Sequence, residues 1–148
     1  MIRRDRNGLE GIPLKLLLIS ILISLTMPAM FGSLSSFRST SAEAMLQGQV
    51  SGLCIAAESC YNAGPGNVRS FDVEFPVGAG MLLIGGERTS AMSIGYQLAD
   101  RTPVRTYLTD PCIRFITPEG GLVLEGPRHS VKLRCVVEEG ASFVMVTL

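Results

Sequence analysis

Arg3-Arg4-Asp5-Arg6-Asn7-Gly8-Leu9-Glu10-Gly11-Ile12-Pro13-Leu14-Lys15 leads into an apolar run from Leu16 to Leu34, and this stretch decides the fold. Arg3, Arg4 and Arg6 mark the side of a membrane that stays cytoplasmic. The run behind them is long enough to lie in a bilayer. A helix that is apolar nearly all round must be buried, in lipid or among other helices. Gly8, a small residue, stands between the charges and the run. Cleavage there would remove the charges and leave the apolar segment attached. Pro13 sits near the start of the segment, where a missing N–H costs little. Pro28 sits deep inside it, where a bend is expected. The hydroxyls of Ser20, Ser24 and Thr26 are expected to bond back to carbonyls one turn earlier, which lowers their cost in lipid.

Beyond Leu34 the pattern changes. Leu34, Phe37, Ser41, Ala44, Met45, Gly48, Gly52, Leu53, Ala56 and Cys60 recur mostly three or four apart, which reads as a helical stripe. One long helix is therefore expected over residues 9–62, apolar in 9–34 and amphipathic in 35–62, with Pro28 as its bend. Such a helix would be roughly 80 Å long, more than a small domain can cover. Met27, Met30 and Met45 read as helix packing. Asn62-Ala63-Gly64-Pro65-Gly66-Asn67 is dense in turn formers and ends the helix.

Residues 67–148 read as a β-rich head. Val68–Phe75 alternates, with Arg69, Phe71, Val73 and Phe75 on one face. Further strand patterns lie at Met81–Ile84, Ser90–Leu98, Val104–Leu108, Cys112–Thr117, Leu122–Glu125, Ser130–Val137 and Ser142–Leu148, separated by glycine and proline turns. About eight short strands at regular spacing suggest an antiparallel sandwich or meander. Val131, Leu133, Val144, Val146 and Leu148 are the expected sheet core. The fold class is thus α+β.

The chain has 148 residues, with 13 basic and 13 acidic side chains. That leaves room for one membrane segment and one domain of about 80 to 100 residues. The charge balance offers no basic face for nucleic acid. Cys54, Cys60, Cys112 and Cys135 all follow the apolar run, on the side expected to be outside. An even count there reads as two disulfides, with four buried free thiols as the alternative. Their spacing lacks the paired C-x2-C knuckle of a zinc site. On one continuous helix Cys54 and Cys60 point about 240° apart and cannot bond each other. Each would then tie the helix to the sheet. A helix ending before Cys54 would instead allow a local Cys54–Cys60 loop.

Catalytic signals are weak. His129 is the lone histidine and lies beside Pro127 and Arg128, in what reads as a turn. A nucleophile would need a base and a third, orienting group. Asp72 and Glu74 share a strand face, and they read as the solvent side of an edge strand. Gly78-Ala79-Gly80 and Gly85-Gly86 lack the strand–loop–helix setting of a phosphate loop. The expectation is a non-enzyme without cofactor or metal.

Residues 3–17 and the apolar helix behind them resemble the class III signal peptide of archaeal type IV pilin-like proteins. Those preproteins are cut by a prepilin peptidase after a small residue that precedes the hydrophobic segment. The resemblance implies that residues 1–8 are the leader, with Gly8 its last residue and Leu9 the first of the mature chain. Pro28 then falls near where type IV pilins often carry a bending proline. Where bacterial pilins usually have a glutamate at the fifth mature position, this chain has Pro13, and its nearby acid is Glu10. Glu10, Lys15 and Pro28 are the implied assembly contacts. The implied function is a structural subunit of a surface filament, stored in the cell membrane and assembled from copies of itself by pilus machinery. Two other readings of the N-terminus remain open: a cleaved secretory signal, and an unprocessed anchor for an extracellular binding module.

Overall fold

A computed structural model describes residues 7–75, 80–99 and 101–148, with Asn7–Ile12 described for their backbone alone. The arginine cluster of the leader, Pro76, Gly78 and Ala79 lie outside the described residues. Contacts divide the chain into two units, Met1–Thr40 and Ser41–Leu148. Helix α1, Asn7–Asn62, contributes to both and contains Pro13 and Pro28.

The second unit is the β-rich head together with the C-terminal part of α1. Eight strands follow the helix: β1 (Val68–Glu74), β2 (Met81–Ile84), β3 (Ser93–Gln97), β4 (Val104–Tyr107), β5 (Phe115–Ile116), β6 (Leu122–Leu124), β7 (Arg128–Glu138) and β8 (Ala141–Thr147). They form two four-stranded sheets, in the orders β1-β7-β8-β5 and β4-β3-β2-β6. The α+β class and the β-rich head are as expected, but the order is not a meander. β1 pairs with β7, which lies far along the chain, and β5 pairs with β8 in parallel. The parallel pair is only two residues long, and Val144 N–H donates to Arg114 O beside it at 2.9 Å.

The helix ends where its sequence requires. Asn62-Ala63 runs into Gly64 at φ +85°, a left-handed position that glycine adopts without a steric penalty. Ala63 N–H donates to Ser59 O and Gly64 N–H to Tyr61 O, each at 3.1 Å, which takes up carbonyls of the last turn. The Asn67 side-chain amide braces the turn beyond it by donating to Ala63 O at 2.6 Å and Gly64 O at 3.1 Å. The β7–β8 hairpin turns on Glu139 and Gly140, both at positive φ, with Glu138 paired to Ala141. Positive φ at both turn residues fits the natural twist of the two strands.

Leu46, Val50, Leu53, Cys54, Ala57 and Cys60 are the buried face of α1. This corrects the expected stripe. Phe37, Ala44, Met45 and Gly48 are exposed, and Leu53 and Cys60 are its only members fully within the core. Small residues tolerate either environment, so their spacing points to the wrong face. Leu46 and Val50 carry the packing instead. They join one core cluster with Val73, Leu82, Ile84, Ile94, Ile113, Leu124, Val131, Leu133, Val144 and Val146. In β7 the alternation is strict, with Val131, Leu133 and Cys135 buried and Lys132 and Arg134 exposed. Leu148 is corrected as well: it lies one residue past β8 and is exposed.

β3 is buried on both faces, from Ser93 to Tyr96. Ser93, wholly buried, donates its hydroxyl to Ser90 O at 2.8 Å and accepts from Arg105 at 2.8 Å. Its polar atoms are therefore satisfied. Gly95 lies where a side chain has no room: a Cβ would stand 2.4 Å from Val104 O and 2.8 Å from Arg105 Cγ. Gly95→Ala is expected to push β4 off β3 and destabilise the head by about 1–3 kcal/mol, the usual cost of overpacking. Urea unfolding of the full chain in detergent, followed by circular dichroism, reads that loss against Gly48→Ala, whose site is open.

Candidate functional site

The first unit presents the apolar part of α1. From Leu14 to Phe37 its large apolar side chains are exposed, most of them by half or more. Fully burying such a side chain is worth roughly 1.5–3 kcal/mol, so this one segment leaves on the order of 20 kcal/mol of burial unrealised. A folded domain has a net stability of only about 5–15 kcal/mol. The segment is long and apolar enough to cross a membrane, and none of its most apolar window is buried within the chain.

Its polar side chains are internally satisfied. Ser20 Oγ donates to Leu17 O at 2.8 Å, Ser24 Oγ to Ser20 O at 2.8 Å, and Thr26 Oγ1 to Leu22 O at 2.9 Å. Ser35, Ser39 and Thr40 repeat the pattern with Gly32 and Ser36. These bonds use up the hydroxyl protons, as expected for helices in a medium that offers no water. Pro28 has no N–H, so the carbonyl of Ser24 lacks its usual helical donor. On either side of Pro28 in sequence, Leu25, Ala29, Met30, Ser33 and Phe37 line a shallow apolar groove on the helix surface. Met27, Met30 and Met45 are exposed, so whatever packing they provide is not within this chain.

The implied processing residues Gly8 and Leu9 lie in the first turns of α1, as does Glu10. Their side-chain surroundings lie outside the described residues. Lys15 is exposed.

The four cysteines are free thiols, which corrects the expectation of two formed disulfides. α1 is unbroken through both Cys54 and Cys60, so the geometry that keeps these two apart applies. They occupy opposite edges of the buried helix face. Cys112 is exposed, and its thiol meets Met92 Sδ at 3.2 Å. Cys60 and Cys135 are buried together at the C-terminal end of α1. The Cys60 thiol lies 3.4 Å from both Asn67 O and Leu133 O, with its one proton to share between them.

His129 is in strand β7 and not in a turn, which corrects its placement. Its Nε2 is within hydrogen-bond reach of Glu125 O, and its ring meets Phe75 edge-on. Glu74 pairs with Arg128, and Asp72 is exposed on β1, an edge strand of its sheet. Among the described residues no group of three or more His, Cys, Asp or Glu side chains is placed to hold a metal ion.

One polar cluster had no signal in the sequence. Glu43 on α1 pairs with Arg101 at 2.9 Å and also reaches Tyr96 on β3. Its members are scattered along the chain, and nothing in their local spacing links them.

No protein-family profile matches this chain, and no curated protein and no solved structure matches it. Its class is accordingly set by the fold alone: a long N-terminal apolar helix followed by a β-rich head.

Three groups of the head hold their protons unusually tightly. Burial, with the Glu58 carboxylate adding to it, pushes the Cys54 thiol up to about 11 from an ordinary 9.0. Burial and then the neighbouring Cys60 raise Cys135. Burial and then Glu43 raise Tyr96. Each group binds its proton more tightly folded than unfolded, so its stabilisation is complete below the unfolded pKa and fades as pH rises through the folded value. The urea midpoint of the head is therefore expected to fall between about pH 9 and pH 11. Cys54→Ala should remove part of that fall and leave the rest, which paired titrations at about pH 7.5 and pH 10.5 measure.

Proposed function

We propose that this chain is a membrane-stored structural subunit that assembles through its N-terminal helix into a type IV pilus-like surface filament. The observation that carries this reading is the exposed apolar stretch of α1, joined in sequence to a head that closes its own core. In the bilayer the stretch is covered by lipid. Lifted out, it is covered only by copies of itself, and a head-to-tail contact that does not close on itself builds a helical fibre. The satisfied hydroxyls suit both settings. The resemblance of residues 3–17 to archaeal class III signals adds the processing step: a prepilin peptidase cuts after Gly8, and the mature chain begins at Leu9. The role is assembly rather than catalysis, and the β-rich head is the outward surface.

A second reading is a membrane-tethered extracellular binding module. It draws on an apolar cleft in the head, where Leu122 and Val123 of β6 face Val146, Thr147 and Leu148. In that reading α1 is an anchor and the cleft takes a ligand.

Intact-mass measurement of the chain recovered from membranes is expected to show loss of residues 1–8, and Gly8→Asp to abolish that loss. An unshortened wild-type N-terminus rejects the processing step. Negative-stain images of surface material are expected to contain filaments, which a polar residue at Leu22 removes. A chain that leaves no filaments, and in which Leu22→Asn changes membrane retention alone, is the tethered module.

A further inference from the structure

Three features of the head stand outside the proposed role: the apolar cleft beside β8, the Met92–Cys112 contact, and the buried pair of cysteines under the end of α1. The third is carried furthest by the geometry. Cys60 occupies the last turns of the helix and Cys135 the middle of β7, and both are essentially without solvent exposure. Their surroundings converge on one atom, the carbonyl oxygen of Asn67. It accepts from Cys60 Sγ at 3.4 Å and from the backbone N–H of Cys135 at 3.0 Å. The Cys60 sulfur can therefore lie no farther from the Cys135 nitrogen than those two lengths together. Cys60 Sγ also meets Leu133 O, and Leu133 shares with Cys135 the inward face of β7.

We propose that Cys60 and Cys135 are an oxidation site at which a single disulfide clips the end of α1 to strand β7. The other two cysteines take no part. Cys54 lies at the far edge of the buried helix face, about 120° around the axis from Cys60. Cys112 is exposed and set against Met92. Neither borders the Asn67 carbonyl.

The chemistry balances without help from the rest of the chain. The two S–H protons and one electron pair pass to an external disulfide, of glutathione type or on a thiol oxidant protein, which leaves as two thiols. One S–S bond forms. The Cys60 thiol gives up its shared hydrogen bond, yet the Asn67 carbonyl keeps Cys135 N–H as donor, and Leu133 stays in ladders with both Arg69 and Val146. The loop so closed runs from residue 60 to residue 135 and spans β1 to β6. Closing a loop of that size takes much conformational freedom from the unfolded chain. Left reduced, the pair would serve only as small apolar side chains. Burial keeps an oxidant from the folded thiols, so the bond forms as the head folds.

Formation in the cell rests on the proposed export of the head to an oxidising compartment, and two arms of one experiment separate the claims. The full chain is recovered from membranes under non-reducing conditions, its free thiols are blocked with iodoacetamide, and its peptides are mapped by mass spectrometry. In parallel the purified, reduced full chain is unfolded and refolded in detergent with glutathione disulfide. Both arms are expected to give one linked peptide pair, Cys60 with Cys135, while Cys54 and Cys112 carry the blocking group. The linked chain should melt more than about 5 °C above the reduced one. Cys60→Ala and Cys135→Ala should each lose that gain, which Cys54→Ala keeps. A link made in the refolding arm but missing from membranes upholds the pairing and overturns the proposed location. Free Cys60 and Cys135 after refolding, or either one linked to Cys54 or Cys112, overturn the pairing.

Discussion

The burial of one helical stripe, Leu46-Val50-Leu53-Ala57-Cys60, is the constraint on which the head depends. Its two sheets are separate hydrogen-bonded ladders, so side-chain packing must join them. The stripe supplies a share of that packing within a single core cluster. Gly52 shows how close the approach is: a Cβ there would stand 2.8 Å from the tip of the Phe71 ring on β1. The helix thus adds apolar side chains to a core that residues of both sheets share.

Earlier along the same helix the physics reverses. Leu16 to Leu34 gains nothing from the chain it belongs to, and its hydroxyls turn back on their own backbone. Lipid and neighbouring helices of the same kind are both dry, apolar media, and both satisfy such a surface. The segment is for that reason a natural element of storage and of assembly, and the proposed function uses both properties.

The sequence made the large divisions legible. The apolar run, the turn at Asn62–Asn67 and the burial of Val131 and Leu133 each follow from local rules of burial and backbone conformation. The buried face of the amphipathic half was not legible, because Ala44, Gly48 and Gly52 fit either solvent or core and blurred the period. Strand order was not legible either. The pairing of β1 with β7 depends on residues far apart in the chain, and no local pattern encodes it. His129 shows a third failure, of boundaries: Gly126 and Pro127 signal a turn, yet β7 begins at the very next residue. For the processing site the sequence carried all of the reading, through Gly8 and the residues around it. The association of Cys60 with Cys135 has no local signal, because it depends on the end of α1 packing against β7.

Strand order also sets a timetable. Among the described strands β1 is the first in chain order, and β7, with which it pairs there, is the last but one. β8, at the centre of the same sheet, comes later still. That sheet therefore has no closed state until residue 147 has left the ribosome, and contacts of such long range form slowly. A chain that must be threaded through a narrow membrane pore travels best while it cannot yet fold. Under the proposed export, the order of the strands keeps this sheet open until β8 has emerged.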